Sequence, residues 1–133
     1  MEKIIEFLRP RVPNNLLGEY GSITLEKINH PPITLDITNN SEVCHLSATV
    51  ASIPETNALP LLWSALELNS ITYGNQECWI AKNHEEETLS VCRNLVITKL
   101  DAENFNQALD KFFEIASNMK NSLMLDINNE SIQ

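Results

Sequence analysis

The apolar positions of this chain change period several times, and each change predicts an element. Near the start, Ile4, Ile5, Phe7 and Leu8 lie among Glu2, Lys3, Glu6 and Arg9. Ile4 and Leu8 stand at i, i+4 with Ile5 beside them, which is the spacing of a short helix with one greasy face. Pro10 and Pro13 end it, because proline lacks the N–H and clashes with the preceding turn. From Ile23 the period becomes two. Ile23 to Ile28 begins an alternation that His30-Pro31-Pro32 breaks, since two prolines cannot donate to a ladder. Ile33, Leu35 and Ile37 then alternate with Thr34, Asp36 and Thr38, the pattern of a half-buried strand. Val43 to Ile53 predicts a longer strand with Cys44, Leu46, Ala48 and Val50 on one side. A short link built on Asn39-Asn40-Ser41 separates these two, which predicts an antiparallel hairpin.

The stretch Ala58 to Asn69 predicts a middle helix, with Asn57 as N-cap and Pro60 in the first turn, where a missing N–H costs little. It is apolar almost all the way round, with Ser64 and Glu67 as its polar interior positions. A surface helix carries one apolar stripe, so this one has a second face to bury. In so small a chain the expected cover is a second copy, because two-fold dimers need one self-complementary patch. Glu77 to Ala81 predicts a short strand, and Lys82 to Glu87 a charged loop. Thr88 to Leu100 predicts another strand, whose apolar face (Leu89, Val91, Leu95, Ile97) is interrupted by Arg93, suggesting an edge or a wet end of the sheet. Asp101 is placed to cap a last helix in which Phe105, Ala108, Leu109, Phe112, Ala116, Met119 and Leu123 recur at helical spacing. The order α-β-β-β-α-β-β-α, with short strand links, predicts an α+β fold with an antiparallel sheet and helices packed on it. The expected boundaries are one domain over residues 1–125 and a polar C-terminal tail over 126–133.

Composition narrows the classes. The 133 residues carry 9 basic and 18 acidic side chains, a net charge of −9. Neutralising phosphates needs clustered Lys and Arg, and here they are few and scattered, which argues against nucleic acid and anionic membranes as partners. No run reaches the roughly 18 apolar residues of a membrane-spanning helix, and the start does not read as a secretory signal. The three cysteines, Cys44, Cys78 and Cys92, are odd in number and lack CxxC spacing, so a reducing compartment, the cytoplasm, is expected.

Three constellations are candidates for chemistry. Cys44 and His45 are adjacent on a predicted strand and so point to opposite faces, which cannot make a nucleophile–base dyad. His30, His45, His84 and the cysteines show none of the close ligand pairs of a zinc site. Glu85, Glu86 and Glu87 share one solvated loop, with nothing to set their pKa values apart. No catalytic residue, metal or cofactor is expected. The competing possibilities are a small enzyme with Cys44 or Cys92 as nucleophile, and a dimeric adaptor or regulatory module.

Three features resemble the class I chaperones of bacterial type III secretion, the Tir-chaperone family. They are Leu61-Leu62-Trp63-Ser64-Ala65-Leu66-Glu67-Leu68-Asn69, similar to the family's "LL…N" helix; the strand, acidic loop and longer strand from Glu77 to Ile97; and Leu100-Asp101 followed by Phe105, Leu109, Phe112, Phe113 and Ala116, similar to its "L…FF…A" closing helix. The resemblance covers roughly residues 2–123 and is one of spacing and composition. It implies a non-enzymatic cytoplasmic homodimer that holds the N-terminal segment of a secreted effector in extended form. It places Leu61, Leu62, Trp63 and Leu66 at the dimer interface. Effector contacts are implied for Ile4, Ile5, Phe7 and Leu8 and for the strand residues Ile33, Leu35 and Ile37. Pro10 and Pro13 depart from the family pattern by shortening the first helix.

Overall fold

The structure is a computed structural model and describes Phe7 and residues 22–37, 42–69, 77–83 and 85–132, with side chains through residue 124. Five strands build one antiparallel sheet: β1 (Ser22–Leu25), β2 (Ile33–Ile37), β3 (Val43–Ser52), β4 (Cys78–Asn83) and β5 (Thr88–Val96), in the spatial order β1-β2-β3-β5-β4. A middle helix (Leu59–Glu67) leads from β3 towards β4, and a C-terminal helix (Ala102–Ile132) follows β5. The α+β class and the antiparallel sheet are as the sequence predicts. The expected first helix lies outside the described residues, apart from Phe7, which is helical and buried.

Register explains how alternation becomes a core. Ile23 pairs with Leu35, Leu35 with Leu46, Leu46 with Arg93 and Arg93 with Cys78. Directly paired residues share a face, so this row crosses the sheet on its inner side. The C-terminal helix covers that side with Phe105, Leu109, Phe112, Ala116, Met119 and Leu123, all without exposed surface. The other face carries the row Thr24, Thr34, Ser47, Cys92 and Trp79. One bulge interrupts the register. Thr49 pairs with Ser90 and Ala51 with Leu89, leaving Val50 as the extra residue of β3.

Several boundaries differ from the sequence reading. β5 ends at Val96, and Ile97–Lys99 turns as a 3-10 helix with Ile97 buried and its N–H donating to Glu42 O at 2.8 Å. β4 extends to Asn83, and the acidic loop shrinks to a hairpin tip. There Asn83 Oδ1 accepts from the N–H of Glu85 at 3.0 Å, and Glu87 takes a left-handed φ of 51°. Asn57 does not cap the middle helix. Its own φ is 58°, a conformation asparagine tolerates, and Ala58 occupies the N-cap position without a side-chain bond. Asp101 does cap: Oδ1 accepts from Asn104 N at 2.7 Å and its carbonyl from Phe105 N at 2.9 Å. The backbone stays helical to Ile132, through the stretch expected as a tail, because no proline or glycine follows Asp101. β5 is an interior strand. Arg93 therefore does not mark an edge; β4 and β1 are the outer strands.

Candidate functional site: an exposed apolar helix face tied to a sheet edge

The middle helix has two different faces. Leu61 and Ala65 are buried against the molecule's own core. Leu59, Trp63 and Leu66 point away and are 72 %, 62 % and 65 % exposed. Their spacing of four and three aligns them in one stripe. Leu62 lies between the faces, partly buried. The residues expected at a dimer interface therefore divide. Trp63 and Leu66 are open, Leu62 is marginal, and Leu61 is corrected to the core, because its side of the helix meets the C-terminal helix. Leu59 belongs to the open stripe although the resemblance does not place it at the dimer interface; its i, i+4 relation to Trp63 carries the signal.

The stripe is anchored to the edge of the sheet. At the end of the middle helix, Asn69 Nδ2 donates to Ile80 O at 3.1 Å, and Ile80 N donates to Asn69 Oδ1 at 2.6 Å. Ile80 stands on β4, which among the described residues pairs only with β5. The asparagine side chain thus takes, at one residue, the place that a further strand would fill. In the sequence Asn69 stands out only as the last residue of the "LL…N" pattern, which carries no sign of this contact. Trp63 Nε1 donates to Glu67 Oε1 at 2.8 Å along the same helix.

The expected effector-contact residues also divide. Ile33 and Leu35 have no exposed surface. The resemblance implies contacts there, but they are corrected to the core, because the face on which alternation puts them is the one covered by the C-terminal helix. Ile37 is partly buried. Phe7 is buried too, its ring 5.1 Å from that of Phe105, while Asn106 Nδ2 donates to the Phe7 carbonyl at 3.1 Å. Ile4, Ile5 and Leu8 lie outside the described residues. On the outer face of the sheet, His45 Nδ1 donates to Asn94 Oδ1 at 2.7 Å, and its ring lies 5.9 Å from Trp79.

Cys44 and His45 face opposite sides of β3. Burial, with the Asp36 carboxylate adding to it, pushes the Cys44 thiol up to about 12. Burial pushes Cys92 up to about 11 and raises Cys78, with the Arg93 charge acting against the latter. Such thiols stay protonated and are poor nucleophiles at neutral pH. Arg93 points to the inner face, with its guanidinium 3.8 Å from Glu77 Oε2. His84 lies outside the described residues, and among those described no three His, Cys, Asp or Glu converge as metal ligands. Also among the described residues, no helix is long and apolar enough to cross a membrane.

No curated protein matches the chain. Solved structures share its fold. A chain of the ExsC–ExsE complex superposes with a TM-score of 0.73 at 18 % identity, covering 92 % of this chain and 94 % of that one. A chain of the HopA1–SchA chaperone–effector complex gives 0.64 at 14 %, covering 90 % and 91 %. A chain of the heterodimeric ExoU–SpcU complex, from the type III secretion system of Pseudomonas aeruginosa, gives 0.65 at 15 %, covering 88 % and 94 %. A protein-family model matches residues 17–120, which span the whole sheet, the middle helix and most of the buried face of the C-terminal helix. By that match the chain belongs to the Tir chaperone protein (CesT) family.

Proposed function

We propose that this protein is a non-enzymatic chaperone of bacterial type III secretion, working in the cytoplasm as a homodimer. It binds the N-terminal segment of a secreted effector in extended form and keeps it soluble and ready for export. The family match carries this reading. The fold neighbours agree with it, since two of them come from complexes described as chaperone–effector or as part of a type III secretion system.

The physical logic is direct. A disordered segment exposes apolar residues, and holding it extended on a folded surface shields them. Main-chain hydrogen bonds to an open sheet edge supply affinity, and side-chain pockets supply selectivity. The sheet has two outer strands, and Asn69 occupies β4 at Ile80. The open stripe of Leu59, Trp63 and Leu66 supports self-association through the middle helix, in keeping with its position beside β4. A net charge of −9 helps keep a protein with such patches in solution.

Co-expression tests the function. The chain should co-purify with roughly the first 100 residues of a secreted partner encoded beside it, about the size of one domain. That segment should remain protease-sensitive and unfolded when the chain is absent. Capture of a folded partner alone would favour the adaptor reading. Turnover that disappears on Cys44→Ser or Cys92→Ser would favour the enzyme.

A further inference from the structure

The turn between β1 and β2 and the C-terminal helix enclose a half-open notch of about 330 Å³, lined by Asn29, His30, Pro31, Ser117, Lys120 and Asn121. In a chain with twice as many acids as bases, this lining contains no carboxylate among the described residues. It holds one lysine, one imidazole, two amides and a hydroxyl. The notch is built and held in place. Asn29 adopts a left-handed φ of 64°, which turns the chain towards the helix. His30 Nδ1 donates to the Ile28 carbonyl at 2.8 Å, and the imidazole stands edge-on to Phe113 with ring centroids 6.0 Å apart. The Lys27 ammonium lies 5.8 Å from the centre of the same Phe113 ring and brings a second cation near. Phe113, Ser117, Lys120 and Asn121 follow at helical spacing, so one face of the helix supplies the other wall. Ser117 Oγ is buried there without a hydrogen-bond partner. A buried hydroxyl without a partner costs stability, and rotation of the Ser117 side chain towards an acceptor in the notch removes that cost.

We propose that this notch accepts the carboxylate of an acidic residue in an extended polypeptide bound by the chain, with Lys120 as counter-charge and Ser117 as donor. The donor set selects this class. A single compact ammonium with hydroxyl and amide donors suits a monoanion. A phosphate dianion is more often met by an arginine fork or a nest of backbone N–H groups. The volume exceeds that of one carboxylate group, and the Asn29 and Asn121 amides each offer both a donor and an acceptor, which is what flanking peptide units require. The proposal rests on the chaperone reading, because it assigns one residue class within the bound segment. The captured segment should therefore carry an Asp or Glu spaced to reach the β1–β2 turn.

The test uses the isotope-labelled full chain and backbone amide NMR. Acetyl-Ala-Glu-Ala-amide is titrated against acetyl-Ala-Gln-Ala-amide and against inorganic phosphate. The glutamate peptide is expected to shift the amides of Asn29, His30, Ser117, Lys120 and Asn121 saturably, with a Kd on the order of a millimolar. The glutamine peptide should bind at least ~10-fold more weakly, and Lys120→Gln should weaken the glutamate peptide ~5-fold, as expected for loss of one charge-assisted contact. Lys120 is exposed, so that variant should fold, and the rest of its spectrum verifies this. Equal responses to the two peptides, or no effect of Lys120→Gln, overturn the proposal. Phosphate saturating these amides while the peptides leave them unmoved overturns it in favour of a free-anion site. If a secreted partner still co-purifies when the peptide fails, the notch assignment falls and the chaperone reading stands. If the peptide binds and no partner is captured, the chaperone reading falls alone.

Discussion

Asn69 and Ile80 close a ring of two hydrogen bonds, one in each direction, between the end of the middle helix and the outer strand of the sheet. Both groups on Ile80 are backbone and would otherwise lack a strand partner. Asn69→Ala removes donor and acceptor together and leaves two partly buried groups unpaired. The expected loss is about 1–3 kcal/mol in urea unfolding. Asn69→Asp keeps the acceptor and loses the donor, and should be as destabilising or more so at neutral pH. An unchanged midpoint for Asn69→Ala would show that water replaces the ring at no cost.

The open stripe on the middle helix predicts a dimer. Light scattering at micromolar concentration should return twice the chain mass. Trp63→Asp or Leu66→Asp should reduce it to one chain mass with the fold intact by circular dichroism, since both side chains are mainly exposed in one protomer. Leu61→Asp should instead unfold the protein, because it buries an unpaired charge. A monomeric wild type would remove the stripe from the assembly.

Burial of the thiols predicts both reactivity and pH dependence. Native protein at pH 8 should react slowly with a thiol reagent, and all three cysteines should react at once in denaturant. The folded pKa of Cys44 is about 12 and that of Cys92 about 11, against an ordinary value of 9.0. The folded state therefore holds these protons more tightly than the unfolded chain. Their contribution is intact below about pH 9 and is lost as the pH rises from there towards 11–12. Cys44→Ala should flatten part of the alkaline fall in the urea midpoint.

Leu35 separates core from contact surface. Leu35→Ala should destabilise by about 2–5 kcal/mol, the range for emptying a packed site. Under conditions where the variant is folded, it should still bind the partner with little change. A large loss of affinity with normal stability would return Leu35 to the binding surface.

At the last helix the capping aspartate makes a smaller prediction. Asp101→Ala frees the Asn104 N–H and should cost about 1 kcal/mol, within the usual range for a lost N-cap. Asp101→Asn should recover most of it. A midpoint unchanged by the alanine would mean that the helix start is held by packing of Phe105 alone.

The sheet was legible because alternation is a local property. Ile33, Leu35, Cys44 and Leu46 needed only their neighbours to declare a shared face. Which face meets another element is not local, so alternation alone does not decide between the contact role that the resemblance implies for Ile33 and Leu35 and the core in which they lie. The middle helix shows the same limit. Its excess of apolar residues is visible in sequence, but sorting Leu61 from Trp63 requires the position of the C-terminal helix. The Asn69–Ile80 ring joins residues eleven apart in the chain, and no periodicity reports such a pairing. Asn57 failed as a cap for a local reason that composition hides. Asparagine suits both a cap and a left-handed turn, and here the backbone took the second.

The bond from Trp63 Nε1 to Glu67 Oε1 bears on how the exposed stripe can be covered. An indole usually enters a dry interface only if its partner surface supplies an acceptor for the N–H. Here the acceptor travels on the same helix, one turn away. The surface facing the ring need supply no acceptor for the indole as long as the Glu67 carboxylate keeps its contact with water, so at the ring the stripe constrains its partner by contour more than by chemistry.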